Sequence, residues 1–248
     1  MPKRFHPAII ALLIQIASTA TAGTLMSMVT VHASLFEWAI LQGLLAGLLS
    51  FLAKSPVWWV PIHFLFMPLV IITLAFDISA TWYLVMFLGL LLIYGKSFVT
   101  QVPLYLSSET VNQALETLLP KQNQFTFIDL GSGCGGLLKN LARIHGNGSF
   151  HGIESAPIPF VISKLRSLFD SDYDVHWGDF WKHDFSRYDV VYAYLSPVPM
   201  DSLWQKAKKE MRPGSLLISN TFVIPGVAPD KSIQLNDFSN STLYLWRL

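Results

Sequence analysis

Four stretches near the start of the chain carry no charged side chain: residues 8–31, 38–53, 57–76 and 78–94. Each approaches the roughly 20 residues with which a helix crosses a hydrocarbon core, so each predicts a membrane span. Trp58, Trp59 and Tyr94 stand at run ends, where amphipathic rings favour the headgroup zone, and Pro61 and Pro68 are expected to kink the third helix. Beyond Lys96 the pattern breaks into short segments. Helical spacing of Val111, Ala114, Leu115 and Leu118 predicts a helix over 109–119, stopped by Pro120. Strands are then predicted at 125–130, 149–154, 173–177, 188–195 and 215–222, with helices at 136–145, 157–169 and 201–211. Two closing segments, 232–235 and 242–247, suit a hairpin. Strands alternating with helices at this spacing predict a doubly wound, mainly parallel α/β sheet preceded by an N-terminal transmembrane helical bundle.

Composition sharpens the division. Of 248 residues, 52% are hydrophobic and 13% charged, with a mean hydropathy of +0.44. Lys3, Arg4, Glu37, Lys54, Asp77 and Lys96 are the charges of residues 1–96, about 6% of that half. The other 27 charges make residues 97–248 about 18% charged, the composition of a water-facing domain. The expected organisation is an anchor of about four spans over 1–96 and a globular domain over 97–248. With four spans, Lys3, Arg4, Lys54 and Lys96 fall on one side and Glu37 and Asp77 on the other, which makes the former side cytoplasmic. The first run also imitates a cleavable signal peptide, through Lys3-Arg4, an apolar stretch and the triplet Ala20-Thr21-Ala22. Either way residue 97 emerges in the cytoplasm. The expected location is a bacterial inner membrane, with the second half cytoplasmic. Glu37, Asp77, His32 and His63 need no transport role, since the acids sit at run ends and imidazoles are mostly neutral at pH 7. A net charge of +1 gives no reason for a nucleic-acid partner, and the lone Cys134 excludes an intrachain disulfide and a cysteine-cluster metal site.

Chemistry concentrates at the carboxyl ends of the predicted strands, where ligands bind in such sheets. The first strand runs into Asp129-Leu130-Gly131-Ser132-Gly133-Cys134-Gly135-Gly136. Glycines allow close backbone approach and the following helix start offers free N–H groups, so this loop can cradle a nucleotide-like ligand. Gly131, Gly133 and Gly136 also satisfy the dinucleotide fingerprint G-x-G-x-x-G. Asp129 argues against a pyrophosphate, which it would repel, and for a ligand with a cationic amino-acid part. The second strand ends at Glu154, placed to accept two ribose hydroxyls, and the third is followed by Gly178-Asp179-Phe180, suited to an adenine amino group and ring face.

Taken with the strand 188–195, Ser196-Pro197 and Arg212-Pro213-Gly214, these residues resemble the class I S-adenosylmethionine (SAM) methyltransferases over nearly all of residues 97–248. Within that superfamily, Val102-Pro103-Leu104-Tyr105, the Gly-Asp-Phe-Trp around Asp179 and Tyr188-Asp189-Val190-Val191 are similar to the membrane-anchored protein-lysine methyltransferases that modify the ATP synthase c subunit and the adenine nucleotide translocase. Cys134 and Gly136 depart from that pattern, replacing an acid and an arginine, and several spans stand where the family has one anchor. The resemblance implies a seven-stranded methyltransferase sheet with SAM as cofactor. It also implies that Asp129 and the backbone of Gly131, Ser132 and Gly133 hold the methionyl part, Glu154 the ribose, and Asp179 with Phe180 the adenine. Tyr194, Ser196 and Pro197 would line the acceptor side, and Tyr105 would close the pocket as a lid.

Methyl transfer from a sulfonium needs orientation and exclusion of water more than a catalytic triad or a metal, and neither pattern is visible. An amine acceptor must be neutral, which burial promotes. A hydroxyl acceptor would want a base, for which His176 and His183 are the candidates near the crevice. Anchoring favours a membrane-borne acceptor. The leading expectation is a lysine nitrogen of a membrane protein; the alternatives are a lipid headgroup or quinone, or a SAM-binding membrane sensor without catalysis.

Overall fold

A computed structural model of the chain describes residues 7–28, 34–121, 124–169 and 173–248. Lys3, Arg4, Val31 and His32 lie outside the described residues. The chain divides into two compact units, Met1–Leu84 and Val85–Leu248.

The first unit holds α1 (Pro7–Met28), α2 (Leu35–Leu52) and α3 (Trp59–Leu74), and α4 (Ala80–Tyr94) crosses the division. Two segments, Ile9–Met28 and Leu35–Leu52, are long and apolar enough to cross a bilayer, whereas α3 and α4 are shorter apolar helices of 16 and 15 residues. Turns consume the rest of the third and fourth runs, with Lys54 (φ 53) and Asp77 (φ 51) left-handed ahead of each. Glu37 has a local task at the start of α2. Its backbone N–H donates to Ser34 Oγ while its carboxylate accepts the Ser34 N–H at 2.8 Å, a reciprocal cap. Pro61 does not interrupt α3 as expected, because it falls in the first turn, where no helical bond is lost. Pro68 does remove one: it cannot donate to the carbonyl of Phe64, four residues back. That carbonyl instead faces Gly43 of α2, where a Cβ would collide with it.

The second unit carries α5 (Ser97–Thr100), α6 (Glu109–Leu118), β1 (Phe125–Leu130), α7 (Gly136–Ile144), β2 (Gly148–Glu154), α8 (Pro157–Phe169) and β3 (Tyr173–Trp177). It continues with β4 (Val190–Ala193), α9 (Met200–Glu210), β5 (Leu216–Asn220), β6 (Lys231–Gln234) and β7 (Thr242–Arg247). The seven strands run β3-β2-β1-β4-β5-β7-β6, parallel from β3 to β5, with β7 antiparallel to both β5 and β6. One face buries Phe127, Phe150, Val175 and Tyr192 against α6 and α7 residues such as Leu115 and Leu138. The other buries Ile128, Leu130 and Val191 against Leu203 and Ala207 of α9 and Phe185. Burial on both faces explains why β4 reads as a continuous apolar run and why β1 departs from one only at Thr126 and Asp129.

The fourth strand is shorter than the expected 188–195. The Asp189 carboxylate accepts from the backbone N–H and hydroxyl of Thr126, at 2.8 and 2.9 Å, and from Arg212 at 2.9 Å, which pins the entry before the ladder starts. Residues 178–188 fold into two 3-10 turns, Phe180–Lys182 and Phe185–Arg187, capped by Asp179 and Asp184. The sheet order reverses between β1 and β4, so the crevice outside their carboxyl ends is the expected ligand position.

Candidate active site

The glycine loop after β1 is tied down from β2. Gly131 and Ser132 donate backbone N–H groups to the carbonyl of Ile153, at 2.9 and 3.1 Å. Gly133 donates to Glu154 Oε2 at 2.8 Å, and Glu154 Oε1 accepts from Ser155 and Ala156, each at 2.7 Å. The Glu154 carboxylate thus joins the loop to the start of α8. Gly131 has φ +76, a conformation that costs a side-chain-bearing residue about 1–2 kcal/mol and that turns the loop over the strand end.

Above this loop lies a cavity of about 730 Å³, within the range that holds small-molecule ligands. One wall is Ile153, Glu154, Ser155 and Ala156, and a second is Gly178, Asp179, Phe180 and Trp181. A third is Tyr194, Leu195, Val198, Pro199 and Ser202, from the segment after β4 and the start of α9. The last is the chain that crosses the mouth: Ile93, Lys96, Ser97, Thr100 and residues 102–105. Gln101, left-handed at φ 56, turns that chain after α5. Tyr105 stacks on Tyr194 with ring centroids 4.8 Å apart, and Phe222 lies 5.8 and 6.3 Å from the two rings. Beneath this cluster Tyr192 Oη joins Ser107 Oγ at 2.9 Å and accepts from Asn220 Nδ2 at 3.1 Å. Burial drives the Tyr192 phenol far above its ordinary pKa, so it stays neutral.

The structure brings six of the expected site residues to the cavity: Gly131, Glu154, Asp179, Phe180, Tyr194 and Tyr105. Five are elsewhere. Asp129 is 5% exposed beneath the loop, and burial followed by the neighbouring Glu154 charge pushes its carboxyl up to about 8. Ser132 and Ser196 are buried with unpartnered hydroxyls, and Gly133 is covered by Leu104. Pro197 is exposed outside the lining. His176 and His183 are not in the cavity either. They form a column with His151, centroids 6.1 and 6.2 Å apart, in which His183 Nε2 meets Tyr188 Oη at 2.8 Å and His176 Nε2 meets Asp174 at 3.3 Å. Neither reaches the space an acceptor would fill, so neither serves as its base. Lys96, Trp181, Ser202 and Phe222 escaped the sequence reading. Trp181 follows two expected adenine neighbours and was the accessible signal; Phe222 follows Thr221, whose φ of 68 no sequence feature announces.

A family model described as the ANTKMT methyltransferase domain matches residues 129–231, from the end of β1 to the first residue of β6. A protein-lysine N-methyltransferase of Saccharolobus islandicus is 27% identical over 155 residues, covering 60% of this chain and 96% of that protein. An RNA methyltransferase from Salinibacter ruber, solved with S-adenosyl-L-homocysteine, superposes with a TM-score of 0.52 at 25% identity over 58% of this chain and 93% of that one. The chain is a SAM-dependent methyltransferase. The methyltransferase fits its cofactor on observations of its own: a cavity of sufficient volume, a glycine loop with its backbone against it, and acids at the ends of β2 and β3. Bound SAM supplies a methyl group on a sulfonium, which needs no metal for its transfer. Among the described residues no three histidine, cysteine or acidic side chains are arranged so that they could hold a metal ion.

Proposed function

We propose that the methyltransferase transfers a methyl group from SAM to a lysine nitrogen of a membrane protein. The observation that carries this reading is that Ile93, in the last turn of apolar α4, and Lys96 just beyond it complete the cavity wall. If α4 lies in the bilayer, the cavity mouth lies at its interface, and the acceptor is one that comes to that depth. The protein-lysine N-methyltransferase activity of the Saccharolobus islandicus relative agrees with a nitrogen acceptor. In this reading residues 1–96 are the membrane anchor and Lys54 and Lys96 mark its cytoplasmic side.

The backbone at Gly131 holds the methionyl part. Glu154, already committed to three amides, uses its one remaining acceptor site on a ribose hydroxyl, and Asp179 with Phe180 flanks the adenine. Asp129, which keeps its proton at neutral pH, acts from below by supporting the loop. Tyr105, Tyr194 and Phe222 form the acceptor side, and Tyr105, on a segment without regular structure, swings aside for the substrate. The acceptor amine becomes neutral through desolvation against these rings, losing its proton to water.

Incubating membranes with the enzyme and methyl-labelled SAM, then extracting with organic solvent, tests the proposal. Label is expected in the protein fraction, on lysine. Label in the solvent-soluble fraction would instead establish a lipid or quinone acceptor. The stacking of Tyr105 on Tyr194 favours a second reading, a SAM-binding sensor whose acceptor side stays shut; SAM binding without label in either fraction would establish it.

A further inference from the structure

Resting on the proposed lysine chemistry, one residue of the chain itself meets the requirements of a substrate. Lys96 is the single lysine among the residues lining the cavity, which also holds Glu154, Asp179 and Tyr194. Its side chain is exposed, and among the described residues it has neither an ion pair nor a hydrogen bond. It also caps α5, the short helix followed by left-handed Gln101, so the backbone holds this lysine in the cavity wall. A reactant held on the same chain acts at an effective concentration that can exceed by orders of magnitude that of any free lysine. We infer that Lys96 is a self-methylation site.

The neutral Nζ lone pair forms the bond to the methyl carbon while the sulfur–methyl bond breaks and its electron pair stays on sulfur. The products are S-adenosylhomocysteine and N-methyl-Lys96, and the proton lost from the ammonium goes to water. The charge of Lys96 at neutral pH survives, so any anchoring role at the membrane surface survives with it. What changes is the wall: each methyl adds apolar volume beside Ser97 and Thr100 and removes one N–H donor.

The test uses the full chain in detergent with methyl-labelled SAM and no added acceptor, read by peptide mass mapping. Methyl increments on Lys96 are expected, at a rate per molecule unchanged over a tenfold dilution, and a Lys96→Arg chain should lose at least nine-tenths of the label. An unmodified Lys96 in a preparation that methylates added membrane protein would overturn the inference and leave the proposed function standing. Label on Lys96 with none on any membrane protein would do the reverse. A rate proportional to enzyme concentration, meaning transfer between molecules, would also overturn it, as would label on other lysines alone. If Lys96 instead pairs with the carboxylate of SAM, it stays unmodified and Lys96→Arg weakens SAM binding measured by calorimetry, which again overturns it.

Discussion

The two units bury opposite kinds of residue. In the sheet domain large apolar side chains go inside, with Phe127, Phe150, Phe185 and Trp246 all essentially inaccessible. Among the first helices the described inside is mostly small or polar: Ala39, Gln42, Gly43, Ala46, Gly47 and Ser50 on α2, with Ser18 and His63, while Ile14 and Pro68 are the larger apolar residues buried there. There Gln42 donates to Gln15 Oε1 at 2.8 Å and to Ser18 Oγ at 2.9 Å, and Gln15 Nε2 meets His63 Nδ1 at 2.9 Å. The large apolar groups of that unit, such as Leu12, Leu13, Leu44, Leu48 and Phe51, face outward. Against water this arrangement would waste its hydrophobic surface; against lipid the outward side chains cost nothing, and close backbone approach and polar bonds hold the helices together. The contrast is an independent support for the anchor reading.

The sharpest way to break the comparison is at two glycines packed for different reasons. Gly43→Ala drives a methyl group into the Phe64 carbonyl, a backbone atom that cannot step aside without moving α3. We expect a loss of about 2–3 kcal/mol, read as faster amide exchange in α2 and α3 in detergent, with SAM affinity within twofold of the original. Gly135→Ala, at φ +73 against the Ser163 side chain, should leave that exchange unchanged and lower SAM affinity at least tenfold. If both substitutions moved both readouts alike, the units would not be separately packed.

Comparable in size is the effect of the buried Asp129. Its folded carboxyl holds a proton up to about pH 8, whereas the unfolded one releases it near 3.8. Between those values the folded state binds more protons, so stability falls as pH rises through the window, and the full cost is present above about 8. Asp129→Asn removes the slope. Denaturation of the sheet domain should be harder for the variant by about 2–4 kcal/mol at pH 8.5 and equal to the original near pH 4. Parallel curves across that range would mean that Asp129 charges without penalty.

Much of this architecture is legible in the sequence because local and global preferences agree. Phe125–Leu130, Pro157–Phe169 and Tyr173–Trp177 take the bounds that their apolar runs and the leading proline imply. The crevice follows from alternation alone, and Glu154 and Asp179 follow from being acids at strand ends. What is hidden depends on distant partners. Asp129 reads as a ligand and Gly133 as open backbone, but nothing local tells that the first is buried or that Leu104 covers the second. Strand β4 looks longer because Asp189 stops it through Thr126, 63 residues away. Lys96 reads as a topogenic charge, and only the left-handed turn at Gln101 brings its helix over the site.

The aromatic cluster tests where outward rings in the first unit and inward rings in the second differ in purpose. Tyr105→Ala should lower kcat about tenfold with little change in SAM affinity, because desolvation of the acceptor, and not cofactor binding, is lost. Phe66→Ala, an exposed ring on α3, should leave both unchanged.

The smallest expected effect belongs to the histidine column, a half-buried polar cluster in the sheet domain. Burial, then the neighbouring His176, holds the pKa of both His151 and His183 below the ordinary imidazole value. Their nearby acids, Asp174 and Asp184, oppose this without reversing it. The unfolded chain therefore takes up protons near pH 6.5 that the folded one refuses, and stability falls as pH drops below that value. His183 also follows directly on Phe180–Lys182, the turn that supplies Phe180 and Trp181 to the cavity, so on the proposed reading repulsion in the column is expected to reach that wall. Between pH 7.5 and 5.5 the original should lose on the order of 0.5–1 kcal/mol more than His151→Asn, after allowance for solvent screening of half-buried rings. SAM affinity should fall by a similar factor over the same range. A variant that lost stability on acidification as steeply as the original would place the acid sensitivity elsewhere, and the column would then be packing alone.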